Sequence, residues 1–77
     1  MVSILSDFES GKKIKLYEVN GGVVLQKRLN DMGMSRNEIV EVVKNDKVGP
    51  LIVRIKKSNI ILGRSLCGKL LMEVVND

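Results

Sequence analysis

The chain has 77 residues, with 13 Lys and Arg against nine Asp and Glu, a formal charge of +4, one cysteine and no histidine. At this length one compact domain, residues 1–77, buries only about 60% of its unfolded surface and no second domain fits. The single Cys67 excludes an internal disulfide framework, and apolar runs as short as Ile60-Ile61-Leu62 exclude a membrane-spanning helix, which needs roughly 20 residues.

Apolar residues make up 44% of the chain and aromatics only 3%, Phe8 and Tyr17. The core is therefore built of Val, Ile, Leu and Met, a mix that favours strands. Met1 to Phe8 lacks the cationic start and sustained apolar stretch of a signal peptide, and a cytoplasmic location is expected. Ser6-Asp7-Phe8-Glu9 has the Ser-x-x-Glu spacing of a capping box and predicts a short lead-in turn ended by Gly11. Lys13 to Val19 alternates, with Ile14 and Leu16 inward and Lys15 outward, as a first strand. Asn20-Gly21-Gly22 stops it. Leu25, Leu29 and Met32 then recur at i, i+4 and i+7, which predicts one clear helix over Val23 to Met32, capped by a left-handed Gly33.

From Glu38 the period returns to two. Val40 and Val42 flank Glu41, Asn45-Asp46-Lys47 and Gly49-Pro50 form a loop, and Leu51, Val53 and Ile55 alternate with Ile52, Arg54 and Lys56. A tight reversal is expected at Ser58-Asn59, followed by a short strand at Ile60-Ile61-Leu62. A connector with a helical turn spans Gly63 to Lys69, and Leu70, Met72 and Val74 alternate with Leu71, Glu73 and Val75 as the last strand. The fold class expected is mainly β, a small α+β domain. Its five strands form a closed or half-closed barrel, with one helix between strands 1 and 2 and the first and last strands paired.

Several of these stretches resemble the FeoA family, small cytoplasmic partners of the FeoB ferrous-iron transporter with an SH3-like barrel fold. The likeness runs nearly end to end. It is carried by Leu5 and Phe8 before Gly11, by Ile14, and by Arg28-Leu29-Asn30-Asp31-Met32-Gly33-Met34, which is similar to the family's Arg-Leu-x-x-Met/Leu-Gly-Leu/Met segment. It continues through Val40, Val42, Gly49-Pro50, Val53, Ile55 and Ile60-Ile61-Leu62. Leu29, Met32, Gly33, Gly49 and Pro50 are the structural motif positions, with Leu29 and Met32 expected to fill the barrel mouth under the helix. Arg36-Asn37 stands where the family usually has Pro-Gly, and Asn37 suits a left-handed turn better than most residues. Cys67 stands where the family usually has a small alanine.

Candidate chemistry is sparse. Without histidine the chain lacks the commonest general base and the commonest transition-metal ligand. Cys67, among Leu66, Leu70 and Leu71, reads as a buried core thiol. The pairs Asp7/Glu9 and Glu38/Glu41 have no further ligands at a recognisable spacing, so no metal site and no cofactor are expected, and association with a transition metal follows from the resemblance alone. Asn20-Gly21-Gly22 lacks the rest of a nucleotide-binding pattern. The expected role is therefore non-enzymatic.

What remains is recognition. If Val53 and Ile55 face inward, Ile52 faces outward, and Ile61 opposes Ile60 and Leu62. Arg28, Ile52, Arg54 and Ile61 are the candidate partner-binding residues. The resemblance implies a small accessory that binds and modulates a FeoB-type transporter at its cytoplasmic face, with weak self-association left open. The alternative is a nucleic-acid-binding or regulator module, since a metal-dependent repressor family carries a similar SH3-like domain and the charge is positive. Two aromatics make a poor stacking platform for single strands, and nucleic acid is the less favoured partner.

Overall fold

Alternating apolar and polar residues build most of the molecule, and a computed structural model describes its residues 1–75. The last two residues of the expected 1–77 domain lie outside the described residues. In chain order the elements are β1 (Val2–Ile4), a 3-10 turn (Leu5–Asp7), β2 (Lys13–Val19), α1 (Gly22–Asp31), β3 (Ile39–Lys44), β4 (Leu51–Ile55), β5 (Ser58–Leu62), α2 (Arg64–Cys67) and β6 (Leu70–Val74). All strands join one antiparallel sheet in the order β1-β6-β2-β3-β4-β5.

One face of β2 to β6 supplies the core. Ile14, Leu16, Val40, Val42, Leu51, Val53, Ile55, Leu62, Leu70 and Met72 are buried there, and Leu5, Leu29, Met34 and Cys67 complete it. The pairing of the expected first and last strands is present as β2 with β6, in the register Ile14 to Val74 and Leu16 to Met72. Two bulges interrupt the alternation. Leu16 faces Met72 and Glu18 faces Leu71, which leaves Tyr17 as the extra residue, and Val43 is the extra residue between the pairs Val42–Val53 and Lys44–Ile52. Each bulge bends its strand and increases its twist, which lets a short sheet curl over its own core.

Among its strands and turns the structure departs from the sequence-based expectation in four places. There are six strands, because Val2–Ile4 pairs with Glu73, Met72 and Leu71; three residues are too few to display a period. The sheet is open: β1 and β5 stand at opposite ends of the strand order with no ladder between them. The lead-in segment makes a 3-10 turn without a side-chain cap, because the turn starts at Leu5 with the apolar Ile4 at its N-cap and Ser6 lies inside it. The reversal falls at Lys56-Lys57, because Ile55 pairs with Ser58 across a two-residue loop.

Helix α1 shows why one expected core residue was displaced by its neighbour. Gly33 has φ +89, the Gly33 amide donates to the Asn30 carbonyl at 3.0 Å and the Met34 amide donates to the Leu29 carbonyl at 2.9 Å. This is the paired bonding of a Schellman cap, in which the residue after the left-handed glycine packs back on the helix. Met34 is that residue and is fully buried beside Leu29, whereas Met32, at the C-cap, is 37% exposed. Asn37 has φ 72, so the position that the resemblance assigns to glycine is left-handed here too.

The gap between the sheet ends is spanned by side chains. The 3-10 turn after β1 packs against α2, which follows β5. Asn45, in the β3–β4 loop, donates from Nδ2 to the Ser6 carbonyl at 3.0 Å and the Phe8 carbonyl at 2.9 Å. Its Oδ1 accepts from the Lys47 amide at 3.0 Å and from Arg64 Nη2 at 2.9 Å. Arg64 Nε also donates to the Gly49 carbonyl at 3.0 Å. Asn45→Ala is expected to lower the unfolding free energy by about 2–3 kcal/mol in urea titrations, from the loss of these part-buried bonds. Met34→Ala should cost about 2–5 kcal/mol and Met32→Ala less than about 1 kcal/mol, an order that reverses if Met32 is the core residue.

Candidate functional site

The outer face of the β4–β5 hairpin carries side chains the core has no room for. Alternation along β4 turns Leu51, Val53 and Ile55 inward, so Ile52 and Arg54 point out, and along β5 Asn59 and Ile61 do the same. The register sets Ile52 opposite Ile61 and Arg54 opposite Asn59, where Arg54 Nε donates to Asn59 Oδ1 at 3.0 Å. Ile61 is 68% exposed, more than any other apolar side chain in a strand among the described residues. The hairpin is closed by Lys56 and Lys57, and Lys56 has φ 59, a conformation that most side chains avoid.

Strand pairing continues this face onto β3 and β2. Glu41 lies opposite Arg54, and Lys13 opposite Glu41, which makes a row of alternating charge across three strands. An open depression of about 260 Å³ over this row is lined by Lys13, Glu38, Ile39, Glu41, Arg54 and Lys56. Around the hairpin tip a second, of about 430 Å³, is lined by Arg54, Lys56, Lys57 and Asn59, with no carboxylate. Lys56 Nζ lies 4.0 Å from Glu38 Oε1 but is largely solvated, so this pair neutralises little of the tip's charge.

Of the candidate partner-binding residues, Ile52, Arg54 and Ile61 come together on this face. Arg28 does not join them. It is exposed in the last turn of α1, which packs on β2, and makes no hydrogen bond or ion pair among the described residues. The motif residues Leu29 and Gly33 serve the helix cap, while Gly49 and Pro50 lead into β4. Sequence reasoning did not include Lys57 or Asn59 among the candidates. Placing the reversal at Lys56-Lys57 would have set Asn59 opposite Arg54.

Elsewhere the chemistry is structural. Cys67 is fully buried, and its thiol points at the Leu62 carbonyl at 3.9 Å. Burial lifts this thiol above its ordinary 9.0, offset in part by the Arg64 guanidinium and a backbone hydrogen bond. Among the described residues no three His, Cys, Asp or Glu side chains gather as a metal-ligand group. In the Asn20-Gly21-Gly22 turn a side chain at Gly21 would collide with Leu25 Cδ2, and the Asn20 amide is already given to the Lys69 carbonyl at 2.7 Å. Gly22 has φ 86, a left-handed conformation that glycine adopts freely, so the glycine serves the turn. Among the described residues no helix is long and apolar enough to cross a membrane.

A raised thiol pKa means that the folded state holds the Cys67 proton longer than the unfolded chain. Its contribution to stability is complete below pH 9.0 and is lost as pH rises through the folded-state value. The difference in unfolding free energy between the unmodified chain and Cys67→Ala should therefore narrow above that pH. A difference independent of pH would contradict the burial.

Residues 4–74 match the FeoA domain family. Over 65 residues the chain is 31% identical to a Methanocaldococcus jannaschii protein provisionally named Fe(2+) transport protein A, a match covering 84% of this chain and 78% of that one. A crystal structure described as an iron uptake regulatory protein (FeoA) superposes with a TM-score of 0.89 at 24% identity, over 97% of this chain and 100% of the other. A manganese-dependent transcriptional repressor also superposes, with a TM-score of 0.83 at 14% identity, over 96% of this chain but 42% of the repressor. At such identities the likeness to these structures is one of fold, an SH3-like architecture.

Proposed function

The chain belongs to the FeoA family, and from that premise we propose that it is a non-enzymatic accessory of ferrous-iron uptake. On this reading residues 1–77 act as one cytoplasmic module that docks on the cytoplasmic part of a FeoB-type transporter and favours one of its states. The observation that carries the reading is the convergence of Ile52, Arg54 and Ile61 on one solvated sheet face. An apolar centre beside a cationic rim suits recognition of an acidic protein surface. A net charge of +4 also suits a station near an anionic inner leaflet.

Iron is the cargo of such a system, and this chain's part is contact with the protein that moves it. The repressor reading draws on the shared fold alone: the longest helix among the described residues is α1, with 10 residues, and α2 has four. Titration of the isotope-labelled protein with the soluble cytoplasmic domain of its transporter should move the amide resonances of Ile52, Arg54 and Ile61 together and leave those of the buried Ile14 and Leu70 in place. An unchanged spectrum would remove the docking role.

A further inference from the structure

We propose that the free edge of β5 accepts one further strand: an extended acidic–apolar segment of the partner pairs with Asn59 and Ile61 and lengthens the sheet. The proposal rests on the docking reading above and names the mode and chemistry of the contact. Its ground is the contrast between the two ends of the sheet. β1 is an edge of three residues, too short to template much pairing. β5 has five, pairs with β4 with no register shift, and contains neither a charged residue nor a proline. Charge, proline and a bulge, three of the devices that blunt an edge, are missing from it.

The hairpin geometry says which groups are free. In a two-residue loop the Ile55 carbonyl and the Ser58 amide face each other, and alternation turns the backbone groups of Asn59 and Ile61 toward the open side. Their side chains stand on the outer face. An incoming antiparallel strand thus sets one side chain beside Ile61 and another, two residues on, beside Asn59. The first position is apolar ground, with Ile52 behind it. The second overlooks the depression lined by Arg54, Lys56 and Lys57 and calls for a carboxylate.

Charge also decides against a second copy of this chain as the occupant. Antiparallel β5–β5 pairing centred on Ile60 would set Lys56 and Lys57 of each copy near Arg64 of the other, between molecules of charge +4. A partner strand bearing carboxylates meets no such repulsion.

The test uses a blocked peptide of about eight residues, with Thr at alternate positions and Val, Val, Glu, Glu at the others, a length matched to one strand. Titrated into the labelled full chain, it should shift Asn59 to Leu62 and slow hydrogen exchange at the Asn59 and Ile61 amides by about tenfold or more at saturation. The same peptide with Lys for Glu should bind at least about tenfold more weakly. Ile61→Pro, which removes an edge donor that β4 does not use, should abolish the effect, and Ile61→Lys should weaken it while keeping the backbone edge intact. Equal binding by both peptides, unchanged exchange at Asn59 and Ile61, or protection of those amides in a peptide-free dimer would overturn the proposal. Peptide pairing without binding of the transporter domain would sink the docking reading alone, and transporter binding that leaves β5 exchange unchanged would sink this one alone.

Discussion

An antiparallel sheet whose end strands do not meet has to be held in its curve by something other than a ladder, and in this molecule that constraint falls on Asn45. Its one amide group ties the segment after β1 to the β3–β4 loop and to the guanidinium of Arg64 at the start of α2. The loop itself is shaped by the same oxygen through the Lys47 amide. Because Ser6 and Phe8 follow closely on the fully buried Leu5, these bonds also hold in place the residue that fills the core near the gap. Packing of the 3-10 turn on α2 adds apolar contact to this polar clasp. Hydrogen bonds confined to a closing seam contribute direction more than energy, and direction is what an open sheet lacks.

With the seam held, the other end of the domain depends on how α1 stops. The left-handed Gly33 turns the chain so that Met34 points into the core beneath Leu29. A strand of conventional geometry can then begin at Ile39, with the Asn37 amide bonded to the Leu16 carbonyl at 2.8 Å. Both closures leave the β4–β5 hairpin free of structural duty on its outer face. The exposed isoleucine and the lysines of its tip owe nothing to the core, which is why they are the place to look for recognition.

Much of this was legible in the residues. Period-two patterns located β2, β3, β4 and β6, and the change to a stripe at Leu25 and Leu29 located α1, because those segments are long enough to repeat. The outward placing of Ile52, Arg54 and Ile61 followed from the same alternation. What escaped was set by single residues or by long-range pairing. β1 is recognised only by its partner β6, and Met34 entered the core through the geometry of a cap rather than through the helical period that favoured Met32. The clasp at Asn45 joins residues up to 39 apart in sequence, beyond the reach of any local pattern. The resemblance supplied family membership, which no periodicity contains.

One detail of the hairpin tip bears on how this protein would respond to selection for heat resistance. Lys56 holds a positive φ that glycine would adopt freely, so the loop carries a strain of about 1–2 kcal/mol in a domain of modest size. Random stabilisation would readily exchange that lysine for glycine, and would thereby strip a cation from a depression that has no carboxylate in its lining. Ranked by melting temperature alone, an engineered library would favour variants with a firmer turn and a blunter surface.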